Sequence, residues 1–424
     1  MEDVDPEISL LGGWLPLTVE IVTVAVLVAV VWRTGRRWWL LWMPVAAALG
    51  VVVAATARWF VNHQGLASDV TPLPLWLWSA LFVAAIALVV LGWRGSRWWR
   101  RGLSILLVPL TFACVALTLN QWVGYYPSAQ VAWAAATGHA VPGQVDAPDL
   151  PDLRDTGMST GRVVPVDIPA TASGFEHRTE YVYLPPAWFV GDTPPRLPVL
   201  MMIGGEFNTA ADWIRTGNAS ETADAYARAH GGQAPILVFA DAGGSFDNDT
   251  ECVDGLRGNA ASHLVDDVRP YVVSEFGASP DPANWGVVGW SMGGTCAVDL
   301  TVMHPDLFTT FEDIAGDVAP TAGTEEQTLA RLYGGDTALR GRFDPTMAMS
   351  RHGPYAGVAG WFQVAHGSDE ATAAERLCTT ATSAGIECTV HVSNGRHTWQ
   401  FAARAFADAL PWLAARIHTP TAAS

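Results

Sequence analysis

The chain has 424 residues, half of them apolar and only 15% charged, with a formal net charge of −17 at pH 7. That length is too great for one compact core of usual size, so two or three units are expected. The charge is also segregated. Residues 1–125 hold 6 acidic and 8 basic side chains, while the remainder holds 35 acidic and 16 basic, so a net of −19 falls on the later part. Such a domain does not attract nucleic acid or anionic lipid through its general field.

In chain order, Met1 to Leu10 carries four acids and no base. Four apolar segments follow, at about 15–32, 38–57, 73–93 and 103–122, each near the ~20 residues that cross a bilayer as a helix. No basic stretch precedes the first, and no small-residue cleavage site follows it, so a retained helix is expected rather than a signal peptide. Arg33, Arg36 and Arg37 fill the first loop, and Arg94, Arg97, Arg100 and Arg101 fill the third. The second loop has only Arg58 at its start. Positive loops stay cytoplasmic, so both termini are expected outside. Trp32, Trp38, Trp39, Trp93, Trp98 and Trp99 border the Arg clusters as an interfacial belt would. The stretches Trp32–Trp39 and Trp93–Trp99 resemble each other and suggest a duplicated helical hairpin. Of ionisable groups, only Glu20 falls within a span, near its outer end, which favours an anchor over a transporter.

Residues 126–160 are rich in Ala, Pro, Gly and Asp and read as a linker with at most one short helix near 130–137. An extracytoplasmic domain is expected over 161–418. Strands are predicted at 163–168, 179–184, 197–203, 235–240, 285–289, 311–315, 360–365 and 387–392, with helical patterns such as 220–229 and 264–276 between most of them. Apolar strands alternating with helices predict an α/β fold with a mostly parallel sheet covered on both faces. Ligands then bind at the carboxyl ends of the strands.

Cys114 falls in the fourth apolar segment, and the other four cysteines fall in the domain expected outside, where disulfides form. Cys378 near the end of a helix and Cys388 early in the next strand come level if the two run antiparallel, which would leave Cys252 with Cys296. Four cysteines allow three connectivities. No C-x-x-C pair or His cluster suggests a metal site, and no cofactor is expected.

The chemistry concentrates in Trp285-Gly-Val-Val-Gly-Trp-Ser-Met-Gly-Gly294, where an apolar run ends in Gly289-Trp-Ser-Met-Gly293 before a predicted helix over 295–308. Strand, sharp turn with an exposed Ser, then helix is the context of a nucleophile elbow. A nucleophilic Ser291 needs a base and an orienting acid, each on a loop after a later strand. His366-Gly-Ser-Asp369-Glu370 follows one strand and Ser393-Asn-Gly-Arg-His397-Thr-Trp399 follows another. His397 is the expected base, preferred over His366 and His391. Asp369 is the expected acid because it lies nearer the Gly turn, with Glu370 the alternative. Oxyanion donors are expected from the backbone N–H of Met292 and, after the Gly204-Gly205 turn, of Glu206.

Residues from about 179 to 413 resemble the esterase family that includes esterase D-like enzymes and the secreted mycolyltransferases of the antigen 85 group. The resemblance rests on Val182-Tyr-Leu-Pro-Pro186, Leu200-Met-Met-Ile-Gly-Gly205, Trp285–Gly294, His304-Pro-Asp-Leu-Phe308, Tyr333-Gly-Gly-Asp336, Phe343-Asp-Pro345 and His397-Thr-Trp399. It implies an α/β-hydrolase fold, with Ser291, Asp369 and His397 as triad and acyl hydrolysis or transfer, including long lipid acyl chains onto sugars, as the activity. Some family members carry Glu as the acid, which keeps Glu370 open. The four apolar segments depart from the secreted enzymes. The combined expectation is a membrane-anchored serine esterase or acyltransferase acting on lipid or glycolipid esters outside the cytoplasmic membrane, without nucleic-acid partners. The alternatives are a non-catalytic relative that binds envelope lipid or sugar, and a transporter with an appended domain. Segment 317–351, between two strands, is the expected cap over the pocket and the expected seat of specificity.

Overall fold

The computed structural model describes residues 7–32, 35–64, 70–94 and 96–421. Arg33 and the acids at positions 2, 3 and 5 lie outside them. The chain divides into two compact units, residues 1–139 and 140–424.

In the first unit, four of the described helices are long and apolar enough to cross a membrane: Trp14–Val31 (α1), Trp38–Gln64 (α2), Leu73–Gly92 (α3) and Trp98–Val123 (α4). The second extends past the expected end through Arg58, and the fourth starts earlier and takes in Arg100 and Arg101. Helix α1 packs on α4, α4 on α3, and α3 on α2. At Gly50 a Cβ would sit 2.3 Å from the Ala80 carbonyl oxygen, so glycine lets α2 and α3 touch backbone to backbone. Hydroxyls in these helices bond the carbonyl four residues back, as Thr23 does to Val19 and Thr118 to Cys114. Large apolar side chains such as Leu17, Ile21, Val51, Leu77 and Val90 face outward. Cys114 is a free, buried thiol in contact with Thr23.

The second unit starts earlier than the sequence suggests. Residues 140–160, expected as linker, pack onto it: Val145 N–H donates to the Val163 carbonyl, Leu150 joins the core, and Arg154 lies over Trp188. Helix Ala129–Ala136, capped by Ser128, belongs to the first unit.

The core of the second unit is an eight-stranded sheet of Arg162–Val166 (β1), Glu180–Leu184 (β2), Val199–Ile203 (β3), Ile236–Ala240 (β4), Trp285–Trp290 (β5), Thr310–Ile314 (β6), Ala359–Ala365 (β7) and Glu387–Ser393 (β8). Spatial order is β1-β2-β4-β3-β5-β6-β7-β8. The pairs β1–β2 and β2–β4 are antiparallel, and every pair from β4 to β8 is parallel. Strands β3, β4, β5 and β6 are buried along their whole length, as a sheet covered on both faces requires. Disulfides Cys252–Cys296 and Cys378–Cys388 are both present. Helices Glu325–Tyr333, Thr337–Arg342 and Pro345–His352 fill the segment between β6 and β7, and the last packs on helix Met292–Met303.

Candidate active site

Strand β5 runs at the middle of the sheet and delivers Ser291 at its carboxyl end. Ser291 has φ 58° and ψ −122°, a conformation that L residues rarely adopt. It is held from both sides. Its N–H donates to the Ile314 carbonyl on β6, and its own carbonyl accepts from Gly294 and Thr295. The turn is tight enough that a Cβ at Gly289 would lie 1.7 Å from the Gly293 carbonyl oxygen, so these glycines are steric necessities. Helix Met292–Met303 begins at once, so the Met292 N–H, at its first turn, has no acceptor within the helix.

His397 reaches the same point from the loop after β8. Its Nε2 lies 2.9 Å from Ser291 Oγ, so the Ser hydroxyl can donate to the imidazole. Trp290 lies 5.2 Å from the His397 ring and 4.5 Å from Trp399, and Trp399 meets Trp213 edge to face at 5.2 Å. The base is therefore seated on an aromatic wedge shared with the residue before Ser291. Of the rival histidines, His391 stacks on Trp361 at 3.5 Å within β8, and His366 is exposed beyond β7.

The structure brings Ser291 and His397 together but not Asp369. Glu370 Oε1 stands 3.4 Å from His397 Nδ1, and Asp369 is exposed. The reason is helix phase. Ser368 caps helix Asp369–Ser383 by accepting from the Ala371 N–H, and successive residues of a helix point about 100° apart. The buried stripe of this helix is Glu370, Ala374, Leu377 and Ala381. That i, i+4, i+7, i+11 spacing is a signal in the sequence that favours Glu370. Burial pushes the Glu370 carboxyl up, but its contact with His397, a backbone N–H and Ser368 outweigh this and hold it below its usual value. It is an anion facing an imidazole.

The loop after β3 lies against the Ser. A Cβ on Gly205 would be 3.0 Å from the Ser291 Cβ, so the backbone approaches only because residue 205 has none. Asn208 shapes this loop, accepting from the Gly205 N–H at 2.9 Å and donating its own N–H to the Gly205 carbonyl at 3.2 Å. The Asn208 carbonyl in turn accepts from Arg178, whose guanidinium grips Asp241 at the end of β4. Nothing in the linear sequence marked Asn208, Arg178 or Asp241 as supports, because they are far apart along the chain. The Glu206 side chain is half-buried; burial first, then the charge of Asp249, push its carboxyl up to about 7, with Arg257 opposing.

Metal-ligand geometry among the described residues arises at His177, Glu180 and His263, whose ligand atoms lie within 4.8 Å of one another. His177 has the Arg178 carbonyl 2.9 Å from Nδ1 and the Ile168 carbonyl 2.7 Å from Nε2. Both nitrogens thus face acceptors and donate, which leaves no lone pair for a metal. Burial works against its charge, but the carbonyls and Glu180 prevail and raise its pKa. This is a buried ionic brace beneath the sheet end.

A mostly parallel sheet with a strained serine at the end of a central strand, and a histidine at hydrogen-bonding distance, defines an α/β-hydrolase. The chain belongs to the family described as Putative esterase, whose model matches residues 175–413. It is 29% identical over 419 residues to an uncharacterized protein of Corynebacterium glutamicum, covering 94% of this chain and 95% of that one, so the likeness runs through both units. It is also 30% identical over 137 residues to the MPT51 antigen of Mycobacterium leprae, covering 30% of this chain and 42% of that protein. Among solved structures, an S-formylglutathione hydrolase from Agrobacterium tumefaciens shares the fold, with TM-score 0.52 at 17% identity over 61% of this chain and 97% of that one. The protein is a hydrolase or acyltransferase of the α/β-hydrolase fold.

Proposed function

We propose that this protein is a membrane-anchored serine esterase or acyltransferase that works on lipid or envelope glycolipid esters at the outer face of the cytoplasmic membrane. One observation carries the chemical part: Ser291 Oγ at 2.9 Å from His397 Nε2, with Glu370 behind the ring. His397 takes the proton as Ser291 Oγ attacks the ester carbonyl. The oxyanion rests on the Met292 and Glu206 N–H groups, since the Gly205 N–H is committed to Asn208. The C–O bond to the alcohol breaks, the alcohol leaves with the proton from His397, and water or another hydroxyl then takes the acyl group from Ser291. Glu370, rather than Asp369, orients the imidazole and stabilises its charged form.

The outward placement is supported by Arg36, Arg37, Arg94, Arg97, Arg100 and Arg101 in the first and third loops and at the start of α4, and by two disulfides in the second unit. A fluorophosphonate probe applied to vesicles with their outer face exposed should label the wild-type chain and not Ser291→Ala. An unlabelled wild type would sink the enzymatic reading. On vesicle-embedded acyl donors the full chain should outpace a chain that begins at residue 140. Equal rates would remove any role for the anchor in substrate capture.

A further inference from the structure

The turn Gly205-Glu-Phe-Asn208 carries the Glu206 N–H, and it contains a strained residue. Phe207 has φ 67°, a left-handed backbone that L side chains rarely adopt. The Gly205 N–H is spent on Asn208 Oδ1 and the Asn208 N–H on the Gly205 carbonyl, which leaves the Glu206 N–H outside both bonds. A change of φ at Phe207 is absorbed by the neighbouring peptide planes, so it re-aims that N–H. Strain of this kind persists only where the surroundings over-determine the conformation. Here the surroundings converge on one buried carboxylate, Asp241, at the end of β4.

Asp241 reaches the turn by two routes. In the first, its carboxylate accepts from the Arg178 backbone N–H at 2.7 Å and from Arg178 Nε at 3.0 Å. Nη2 of the same guanidinium donates to the Asn208 carbonyl at 2.7 Å. A planar fork gripped on one side presents its remaining N–H groups in a fixed direction. In the second, the Gly243 and Gly244 N–H groups donate to the Asp241 carboxylate at 3.4 and 3.2 Å and so set the loop after β4. That loop carries Phe246, whose ring centroid lies 5.3 Å from that of Phe207. A Cβ at Gly244 would stand 2.2 Å from the Glu176 carbonyl oxygen, so the loop presses on the stretch that leads to Arg178. The hub is itself backed from behind. The Asp241 N–H donates to Glu180 Oε1 at 2.9 Å, and buried His263 Nε2 stands 3.3 Å from the same oxygen.

We propose that Asp241 and Arg178 are positioning residues: together they hold the strained Phe207 turn in the form that aims the Glu206 N–H at the oxyanion. Both act through the turn and not on the reacting atoms. Asp241→Asn would replace an acceptor oxygen with an N–H₂ group set against donors, and Arg178→Gln would cut the link to the Asn208 carbonyl. The proposal rests on Ser291 as nucleophile and on the Glu206 N–H as an oxyanion donor, so the tests separate these readings.

The full chain in detergent is assayed with 4-nitrophenyl butanoate and with its thiono analogue, in which C=S replaces C=O. Sulfur is larger and accepts hydrogen bonds weakly, so damage to an oxyanion hole costs the oxygen ester more. In Arg178→Gln and Asp241→Asn, kcat for the ester should fall about tenfold or more, with KM within about twofold of wild type. The ester-to-thionoester ratio of kcat/KM should fall severalfold. A loss shared equally by both substrates is what a merely structural role gives, and it overturns the proposal. Arg154→Gln removes an arginine that docks another loop through the Trp188 and Gly191 carbonyls, and it should leave the ratio unchanged. A ratio that falls as far there also overturns the proposal. Phe246 is 68% exposed, so Phe246→Ala guards against misfolding of the other two variants. Its ratio should fall by a smaller factor, and an unchanged ratio overturns the second route. Hydrogen exchange over residues 203–209 needs no turnover and should quicken severalfold in Arg178→Gln; exchange as slow as in the wild type overturns the proposal. Failure of the wild type to take a fluorophosphonate label is a separate result that overturns only the nucleophile.

Discussion

The two units solve the placement of polar groups in opposite ways. In the helical unit the hydroxyls of Thr23, Ser79, Thr111 and Thr118 bond carbonyls of their own helices, while Leu17, Val51 and Val90 face outward. In the hydrolase unit the apolar residues are inside, and so are whole carboxyl groups: Glu312 in β6, Asp299 in the helix after Ser291, Asp313 and Glu251. The first arrangement suits a medium that offers no hydrogen bonds, because each helix must satisfy itself. The second suits water, where charge taken inside is costly and persists only for a structural or chemical return. The two units thus differ in the medium their exposed side chains would suit.

The sharpest test of that contrast lies among the buried acids themselves. Glu370→Gln should lower kcat by about 10² to 10⁴-fold, as loss of the orienting acid does in a triad, whereas Asp369→Asn should change it by about twofold or less. Steady-state kinetics on a soluble thioester reads both, and a larger loss from Asp369→Asn would reverse the assignment. Next in size is the redox contrast. Chain-entropy arguments give about 4 kcal/mol for a disulfide closing 44 residues and about 2.7 kcal/mol for one closing 10. Replacing Cys252 and Cys296 by Ala should therefore lower the stability of the hydrolase unit more than replacing Cys378 and Cys388. Thermal unfolding of the paired variants reads the order, and the helical unit, with the lone thiol Cys114, should not respond to reductant.

A charge placed on each unit gives a smaller effect of a different kind. Val51→Arg, on an outward face of α2, should disfavour insertion by about 3 kcal/mol and reduce recovery in the membrane fraction. Glu375→Arg, exposed on helix Asp369–Ser383, should shift stability by no more than about 0.5 kcal/mol. Equal tolerance at both positions would break the comparison. The smallest effect is a pH slope. Burial raises Asp313 to about 7 from 3.8, against a hydrogen bond from Gly316 that lowers it. Between those values the folded chain holds a proton that the unfolded chain has released, so stability falls as pH rises through about 7. Glu312, Asp299 and Glu251 are raised for the same reason and act in the same direction. Unfolding midpoints measured from pH 5 to 8.5 should decline, and Asp313→Asn should flatten the decline.

Local pattern accounts for what could be read beforehand. The four apolar segments, the parallel strands and the Gly-flanked Ser291 each announce themselves within about twenty residues, and the structure places all of them near their expected positions. For the acid, distance from the Gly turn points to Asp369, whereas helix phase, in the stripe of Glu370, Ala374, Leu377 and Ala381, points to Glu370. Boundaries failed where packing overrides composition, as when Leu150 and Arg154 tie a Pro-rich stretch to the hydrolase core.

The aromatic wedge under His397 has a consequence for how this site can change. Because Trp399 and His397 both rest on Trp290, the residue next to Ser291, base and nucleophile share one datum. A shift of β5 or of helix Trp399–Arg416 carries the two together instead of opening the 2.9 Å gap between them. The turn that leads to His397 is fitted as closely: a Cβ on Gly395 would lie 2.3 Å from the Phe401 ring, so a glycine there lets the loop settle on helix Trp399–Arg416 and move with it.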